Sequence, residues 1–387
     1  MRKVSVIGIG ETKMGKLKEK SLTALIQEAG NKAIADANID RKQVQALYVS
    51  NFNAQFLTGQ GHMGPMVAEA LQINGVPSLR VEGACASGSI AFRQAYIAIA
   101  AGLYDIVLVG GIEKMTHQTT EKVTEGIASA ADYELEGKNG MTFPSIFAMI
   151  ANRYHYQYTD PRDAMTVCAV QNHDNAFLNP DAQMQKKVTP EDVVNSAKVA
   201  YPFTVMDCSL MTDGAAFVVL AADEIAKNIN GSRRAVVLGS GHNGSTLSLY
   251  SKPDITTFDA TLRASKEAYD MAGLKPSDID MVEVHDCFTM TQIINIEDLG
   301  FAQKGQGTKV VLNGETARDG RIPVNVSGGL KAKGHPIGAT GISQIYEVIT
   351  QLRGDAGERQ LKKMDIGMTH NLGGSAGTCL VHIFGRG

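Results

Sequence analysis

The sequence predicts an internally duplicated α/β protein in which two similar halves each form a sheet covered by helices. Short β-branched runs alternate along the chain with amphipathic helical runs, a pattern typical of sheets whose strands are mainly parallel. Residues 33–51 also align without gaps on residues 268–286, each passing from a helix end through a polar turn into a strand. Residues 105–110 likewise resemble residues 365–369. The two pairs of similar segments occur in the same order in both halves, which favours duplication over chance matches of small apolar residues.

The first half begins with a strand, a helix and a second strand. Residues 3–8 are a β-branched run that ends in glycine, and residues 44–49 form a similar run. Between them, residues 21–37 carry apolar side chains at helical spacing, with Ser21 as the predicted N-cap. A strand–turn–helix–strand unit follows, with its elements at residues 78–82, 87–101 and 103–110.

A polar segment, about residues 116–203, interrupts this alternation. It is richer in Tyr, Met and His and contains two amphipathic helical runs, at residues 145–156 and 163–177. We expect it to be a loop domain inserted over one face of the sheet, where it shapes a substrate tunnel. Glycine turns followed by strands then resume, and a predicted boundary divides the chain into an N-terminal half, 1–230, and a C-terminal half, 231–387.

Composition and charge exclude several classes of protein. The chain has 387 residues, 20% charged and 44% hydrophobic, with a net charge of −3 and no cluster of Lys and Arg, which argues against a nucleic-acid partner. Its five cysteines form no CxxC pair, which argues against zinc and disulfides and favours a reducing, cytoplasmic location. The N-terminus lacks the apolar core of a signal peptide, and no apolar run is long enough to span a membrane.

Cys85 is the candidate nucleophile. It lies in a glycine-flanked turn between the predicted strand at 78–82 and the predicted helix at 87–101. Unpaired N–H groups and the dipole at a helix N-terminus favour a thiolate, so we expect an activated thiol here. The alternative is a small buried cysteine in a strand–helix corner.

Three turns in the second half carry side chains that cysteine catalysis requires. His285 and Cys287 directly follow a predicted strand, and His335 lies in a glycine-rich turn before a predicted helix. Asn371 and Gly373 lie in a third turn, between two short strands. Each residue also has a structural alternative, as a strand cap, a loop residue or a turn former. A nucleophilic cysteine needs a base, an oxyanion stabiliser and a proton shuttle, and these turns supply candidates for all three.

Five motifs, in this order, resemble those of the thiolase superfamily over essentially the whole chain: GACASG around Cys85, GGIEKMT at 110–116, TDGAA at 212–216, GHPIGATG at 334–341 and NLGG at 371–374. The resemblance implies a thiolase fold, with two βαβαβαββ halves in five α-β-α-β-α layers and a loop domain inserted in the first half. Two departures from the common thiolase motifs narrow the resemblance to a subgroup. HDCF at 285–288 replaces the NEAF motif of common thiolases, and Asn371 replaces the cysteine of their CxG motif. This combination is similar to the sterol-carrier-protein-x type and to archaeal acetoacetyl-CoA thiolases.

The resemblance implies an acetyl-CoA C-acetyltransferase, which condenses two acetyl-CoA into acetoacetyl-CoA and CoA, or catalyses the reverse thiolysis, through an acetyl-Cys85 intermediate. In such an enzyme His335 takes the proton of Cys85, and the backbone N–H groups of Cys85 and Gly373 bind the oxyanion. The thioester oxygen of the second acetyl-CoA lies between His285 and His335. Cys287 replaces the missing CxG cysteine and removes the α-proton.

The resemblance also implies CoA thioesters as substrates, with no tightly bound cofactor, no metal and Asn371 beside the substrate; the residues that bind the CoA nucleotide stay unassigned. Archaeal relatives imply a complex with HMG-CoA synthase and a small DUF35-type OB-fold zinc protein, and a place in the mevalonate pathway. The superfamily implies a homodimer or homotetramer, paired through the strand at 103–110. Two alternatives stay open: a decarboxylating ketoacyl synthase, and a non-catalytic acyl- or lipid-binding protein on the same scaffold.

Overall fold

The structure is a computed structural model that describes residues 2–231 and 233–387. Its strands within these ranges are β1 (Val4–Glu11), β2 (Ala46–Ser50), β3 (Ser78–Val81), β4 (Ile106–Glu113), β5 (Lys198–Ala200), β6 (Phe203–Thr204), β7 (Gly214–Ala222), β8 (Ala235–Gly244), β9 (Met281–Glu283), β10 (Ile366–Gly373) and β11 (Thr378–Arg386). Its α-helices are α1 (Leu22–Ala37), α2 (Ala54–Thr58), α3 (Met63–Ala70), α4 (Ser87–Ala100), α5 (Thr120–Ala128), α6 (Phe143–Gln157), α7 (Arg162–Phe177), α8 (Pro190–Val194), α9 (Asp223–Asn230), α10 (Asp259–Ala272), α11 (Thr289–Asp298), α12 (Gly307–Leu312) and α13 (Thr340–Arg353).

The two halves have the same strand order, which confirms the predicted duplication. The first half runs β3-β2-β4-β7-β1 and the second runs β9-β10-β11-β8 from its outer edge. Val324 forms a parallel bridge with Val282 of β9, where the first half has β3 parallel to β2. The two sheets join where β1 pairs with β8 over two residues, Ser5 and Val6.

The expectation of mainly parallel sheets is wrong. In each half the last strand lies antiparallel to both of its neighbours: β7 to β4 and β1, and β11 to β10 and β8. A parallel pair needs a long crossover connection, whereas β10 and β11 are joined only by the short turn at 374–377. The run at 324–327 alternates apolar and polar residues as a strand does, but it forms only the single bridge at Val324.

The sequence repeat corresponds to one repeated packing contact between a strand and a helix. A Cβ on Gly8 of β1 would lie 2.3 Å from the carbonyl oxygen of Ala33 on α1. A Cβ on Gly239 of β8 would lie 2.3 Å from the carbonyl oxygen of Ala268 on α10. Since no side chain fits there, each strand needs a glycine at this position for the helix to pack directly on the sheet.

Helices and sheets alternate in five layers, as the resemblance to thiolases implies. Helices α1 and α3 cover the outer face of the first sheet, α4 and α13 lie between the sheets, and α10 and α11 cover the outer face of the second. Strand β7 has buried side chains on both faces: Phe217 and Val219 face the outer helices, and Val218 and Leu220 face the central ones. The central layer brings the N-terminal ends of α4 and α13 next to each other.

The segment between β4 and β7 contains α5 to α8 and the β5–β6 hairpin. Helices α6 and α7 occupy the two stretches that the sequence predicts as amphipathic helices. Their apolar faces bear Tyr154, Met165 and Cys168, which share a core with Val282 and Ile293 of the second half. The insertion therefore packs over the second half and reaches the strand ends where the site lies.

The position of β4 overturns the expected pairing of two chains through residues 103–110. Strand β4 lies inside the sheet, hydrogen-bonded to β2 on one side and to β7 on the other, so it has no edge to offer a second chain. The open edge of the first sheet is β3, which pairs with β2 alone in the described chain. None of the helices in the described ranges is long and apolar enough to cross a membrane.

Candidate active site

Cys85 lies in a tight turn that connects β3 to α4. A short 3-10 turn at Ala84–Ala86 runs directly into the helix. Ser87 Oγ accepts a hydrogen bond of 2.9 Å from the backbone N–H of Gly83, which holds the turn against the first helical residue. The turn thus presents Cys85 at the helix N-terminus, as the sequence predicts.

The structure brings Cys85, His285, Cys287 and His335 together around one cavity of about 190 Å³. The Sγ atom of Cys85 and one ring nitrogen of each histidine lie within 4.8 Å of one another. The two imidazole rings are 5.2 Å apart between centroids and nearly perpendicular, at 85°. The cavity also includes side chains of the inserted segment, of which Phe143 is one.

His335 is held by hydrogen bonds from three directions. Its backbone N–H donates to Thr212 Oγ1 at 2.9 Å, and its loop is fixed where Gly338 N–H donates to Glu113 Oε2 at 2.9 Å. Its Nδ1 lies 2.7 Å from Thr340 Oγ1, which itself donates to the carbonyl oxygen of Pro336 at 3.1 Å. The hydroxyl has one hydrogen, so both bonds form only if His335 Nδ1–H donates to Thr340. Nε2 of His335 then has a free lone pair, as a base requires.

His285 follows β9 and is fixed through its backbone and its ring. Its carbonyl oxygen accepts from Asn295 Nδ2 at 2.8 Å, and its Nδ1 lies 3.1 Å from Asn371 Nδ2. The neighbouring Asp286 accepts from Leu330 N–H at 2.7 Å, which ties this loop to the segment before His335. Cys287 lines the same cavity as His285.

Asn371 and Gly373 lie on β10 itself and not in a turn, because β10 extends to Gly373. Asn371 contacts His285, whereas Gly373 lines a separate pocket beside Gly83. Gly374, the next residue, lines the cavity, and its backbone N–H hydrogen-bonds Cys85 and stabilises the thiolate. The glycine turn therefore faces Cys85, one residue further along than expected.

Burial opposes the activation that the helix N-terminus is expected to give Cys85. Burial raises the pKa of the Cys85 thiol to about 12, and this effect outweighs the backbone N–H groups that favour the charged form. Burial likewise lowers the pKa of His335 to about 3. Both groups are therefore neutral near pH 7, and the thiol must lose its proton when the substrate is attacked and not before.

A third cysteine, Cys208, also lines the cavity, although the sequence indicates no role for it. The neighbouring Ser209 N–H donates to the carbonyl oxygen of Cys287 at 2.9 Å, which holds the Cys208 segment against the loop that carries Cys287. Burial raises the pKa of Cys208 to about 12 as well, so its thiol is neutral near pH 7. Its position four residues before the TDGAA motif is the one signal in the sequence that could have drawn attention to it.

The described chain brings the Cys85 thiol and one nitrogen of each of two imidazoles together at this cavity, and each ring has a side-chain partner at its Nδ1. A larger groove, of about 840 Å³, lies between α7, α8 and the residues after α12. Neither a cysteine nor a histidine is among the residues that line it, so the chemistry concentrates in the smaller cavity.

Two domain families together match nearly the whole chain. Residues 4–224 match the family described as "Thiolase, N-terminal domain". Residues 239–386 match the family described as "Thiolase C-terminal domain-like". These matches agree with the superfamily that the sequence motifs indicate.

Individual relatives are similar over most or all of this chain. An acetyl-CoA acetyltransferase of Methanothermobacter thermautotrophicus is 47% identical over 386 residues, covering 100% of both chains. One of Methanocaldococcus jannaschii is 44% identical, covering 99% of each. Sterol carrier protein 2 of Bos taurus is 32% identical over 96% of this chain and 70% of its own length. The solved structure of an Ltp2-ChsH2(DUF35) aldolase matches 99% of this chain and 98% of its own, with a TM-score of 0.86 at 24% identity, a likeness of fold alone.

Proposed function

Because the chain belongs to the thiolase family, we propose that it is an acetyl-CoA C-acetyltransferase that condenses two acetyl-CoA into acetoacetyl-CoA and CoA, or catalyses the reverse thiolysis. The observation that carries this proposal is the cluster of Cys85 Sγ with a ring nitrogen of His285 and of His335, within 4.8 Å of one another. Relatives named acetyl-CoA acetyltransferase, at 47% and 44% identity, support the same substrate.

The first half-reaction transfers an acetyl group to Cys85. His335 Nε2 accepts the thiol proton as Cys85 Sγ attacks the thioester carbonyl, and the backbone N–H groups of Cys85 and Gly374 donate to the oxyanion. Gly373 is the neighbouring donor that the family resemblance suggests. The C–S bond to CoA then breaks, and the proton passes from His335 to the CoA thiolate, so that the imidazole is neutral again.

The second half-reaction forms the carbon–carbon bond. Cys287 passes its proton to His335, and the resulting thiolate removes the α-proton of a second acetyl-CoA. The enolate attacks the acetyl group, the bond to Cys85 Sγ breaks, and the thiolate that leaves takes the proton back from His335. Because burial raises the pKa of Cys287 well above its ordinary value, its thiolate exists only transiently.

The dimensions of the cavity favour a short acyl group. Its volume of about 190 Å³ is small for a ligand pocket, and it must hold the end of the pantetheine arm as well. Phe288 borders the cavity and is stacked between Phe147 and Phe203, with ring centroids 4.9 and 5.2 Å away. A side chain packed on both faces cannot swing aside for a longer chain, so we propose acetyl and acetoacetyl groups as the preferred substrates.

The proposed function is tested by incubating the protein with acetyl-CoA alone. We expect the mass of one acetyl group to be added, a tryptic map to place it on Cys85, and acetoacetyl-CoA to form when an added consuming reaction removes it. Thiolysis of acetoacetyl-CoA by CoA should be faster. A requirement for malonyl-CoA would instead identify a decarboxylating ketoacyl synthase, and binding without acetylation would identify an acyl- or lipid-binding protein.

We also propose partners and a location for this enzyme. A DUF35-type zinc protein and HMG-CoA synthase, which would consume acetoacetyl-CoA in the mevalonate pathway, are proposed as partners. The five free cysteines suit a reducing compartment such as the cytoplasm.

We propose that two copies pair through the open edge of β3, as a dimer or as part of a tetramer. Leu79 at this edge is 42% exposed, so Leu79→Lys should place two like charges in the interface and raise the dimer Kd about 10²-fold. Leu103→Lys is the matched control, because Leu103 is 71% exposed and belongs to the segment that is no longer expected to pair. Light scattering at micromolar concentration should show a dimer or tetramer for the wild type and Leu103→Lys. Dissociation of Leu103→Lys alone would contradict the assignment.

A further inference from the structure

The buried amide of Asn371 contacts the ring of His285 through its nitrogen. Asn371 Nδ2 is 3.1 Å from His285 Nδ1. Its Oδ1 is buried and has no hydrogen-bond partner among the described residues, and the same is true of Ser89 Oγ. Both oxygens lie 2.5 Å from the position that a Cβ on Gly341 would occupy. The oxygen end of the amide therefore lies in the buried space next to Gly341, and the nitrogen end contacts the imidazole.

We propose that Asn371 is a positioning residue that fixes the proton of His285 on Nε2. The amide nitrogen only donates, so His285 Nδ1 must accept and cannot carry a hydrogen. A neutral imidazole has one N–H, which is then on Nε2. Since the ring lines the cavity and Nδ1 is engaged by Asn371, Nε2–H is the group that His285 offers to a substrate oxygen.

This arrangement gives the two histidines opposite tautomers and separate tasks. Thr340 keeps the proton of His335 on Nδ1, which leaves Nε2 free to accept the proton of Cys85. Asn371 does the reverse for His285, which becomes a permanent donor. The inference rests on the proposed function, in which the thioester oxygen of the second acetyl-CoA gains negative charge as its α-proton leaves and needs such a donor.

The surroundings of His285 favour a neutral ring. The titratable groups that face it are Cys85, Cys287 and His335 at the cavity and His370 on β10, whose Nδ1 accepts from His285 N–H at 3.4 Å. The Asp286 carboxylate is directed elsewhere, to the backbone N–H groups of Leu330 and Lys331. Burial and the two neighbouring histidines lower the pKa of His285 well below its ordinary range. The contact with Asn371 thus sets which nitrogen is protonated, not whether the ring is charged.

The test compares Asn371→Asp with Asn371→Ala in the full-length protein. A carboxylate only accepts, so it draws the proton of a neutral His285 onto Nδ1 and removes the Nε2–H donor. We expect kcat for condensation to fall about 10²-fold at high pH, the effect of losing one oxyanion donor. Activity should recover as the pH falls, because the imidazolium has both N–H groups. Asn371→Ala leaves His285 free to adopt either tautomer, so the loss of kcat should be smaller than in Asn371→Asp and independent of pH.

Histidine ring ¹⁵N spectra give a readout that does not depend on turnover. The wild type should show an Nε2–H signal that disappears in His285→Gln, and Asn371→Asp should shift that ring to Nδ1–H or to imidazolium. Equal, pH-independent losses in Asn371→Asp and Asn371→Ala, or an Nδ1–H signal in the wild type, would overturn the inference. A wild type that neither acetylates Cys85 nor cleaves acetoacetyl-CoA would refute the proposed function instead, and the spectra would still report the tautomer.

Discussion

Replacing Cys85 with alanine is expected to abolish both covalent acetylation and turnover. The substitution removes the sulfur to which the acetyl group would be attached, and neither histidine can replace it, because each is held by a neighbour for proton transfer or donation. Loss of the nucleophile in a comparable catalytic unit lowers kcat by about 10⁴- to 10⁶-fold, or about 5–8 kcal/mol of barrier. Intact mass after incubation with acetyl-CoA should show no added acetyl group.

Cys208→Ala is the matched control, because Cys208 lines the same cavity and has a pKa raised to about 12, as Cys85 does. Its Sγ makes only a weak contact with the Thr204 carbonyl oxygen, at 3.4 Å. Cys208→Ala should therefore still acetylate Cys85, with a modest change in kcat/KM. If Cys85→Ala were acetylated and Cys208→Ala were not, the nucleophile would have been assigned to the wrong cysteine.

The parts of the fold and the site that depend on local sequence could be predicted. A few adjacent residues are enough to indicate the strand before His285, which resembles β2 in sequence. The same is true of the glycine turns around Cys85 and His335. Duplication then implies that the turns of both halves lie at corresponding strand ends. For that reason the four reactive residues could be brought to one site before any coordinates were known.

Features that depend on contacts between distant segments could not be predicted. The helix N-terminus at Cys85 suggests a thiolate, but the burial that raises its pKa comes from segments far apart in the sequence, which include Leu57, Val123 and Ile337. The partners of the two imidazoles are equally non-local: Asn371 is 86 residues from His285 in sequence. The sequence does not reveal that β4 is an inner strand, because an apolar run does not show whether a strand has one neighbour or two. The second neighbour of β4 is β7, which follows only after a long insertion.

Replacing Cys287 with alanine should separate the two half-reactions. Acetylation of Cys85 uses His335 and the backbone donors, so Cys287→Ala should still accept an acetyl group. Condensation should fail, because the α-proton then has no positioned acceptor; loss of a general base typically slows a step about 10²- to 10⁴-fold, or about 3–5 kcal/mol. Acetyl-enzyme should accumulate and be visible as an intact-mass shift, whereas the wild type turns it over.

The surroundings of Cys287 allow its role as the base to be tested with further variants. Its Sγ lies 3.6 Å from Thr291 Oγ1, a contact that favours the thiolate, while burial opposes it. Cys287→Ser should behave like Cys287→Ala, because a serine hydroxyl is a much weaker acid than a thiol and does not form an anion here. Cys379→Ala, a buried change at a residue that does not line the cavity, is the control for effects on folding. Near-normal condensation by Cys287→Ala would mean that another group removes the α-proton. His335 would then be the base for both half-reactions. His285 could not accept the α-proton at Nε2, because Asn371 keeps a proton on that nitrogen.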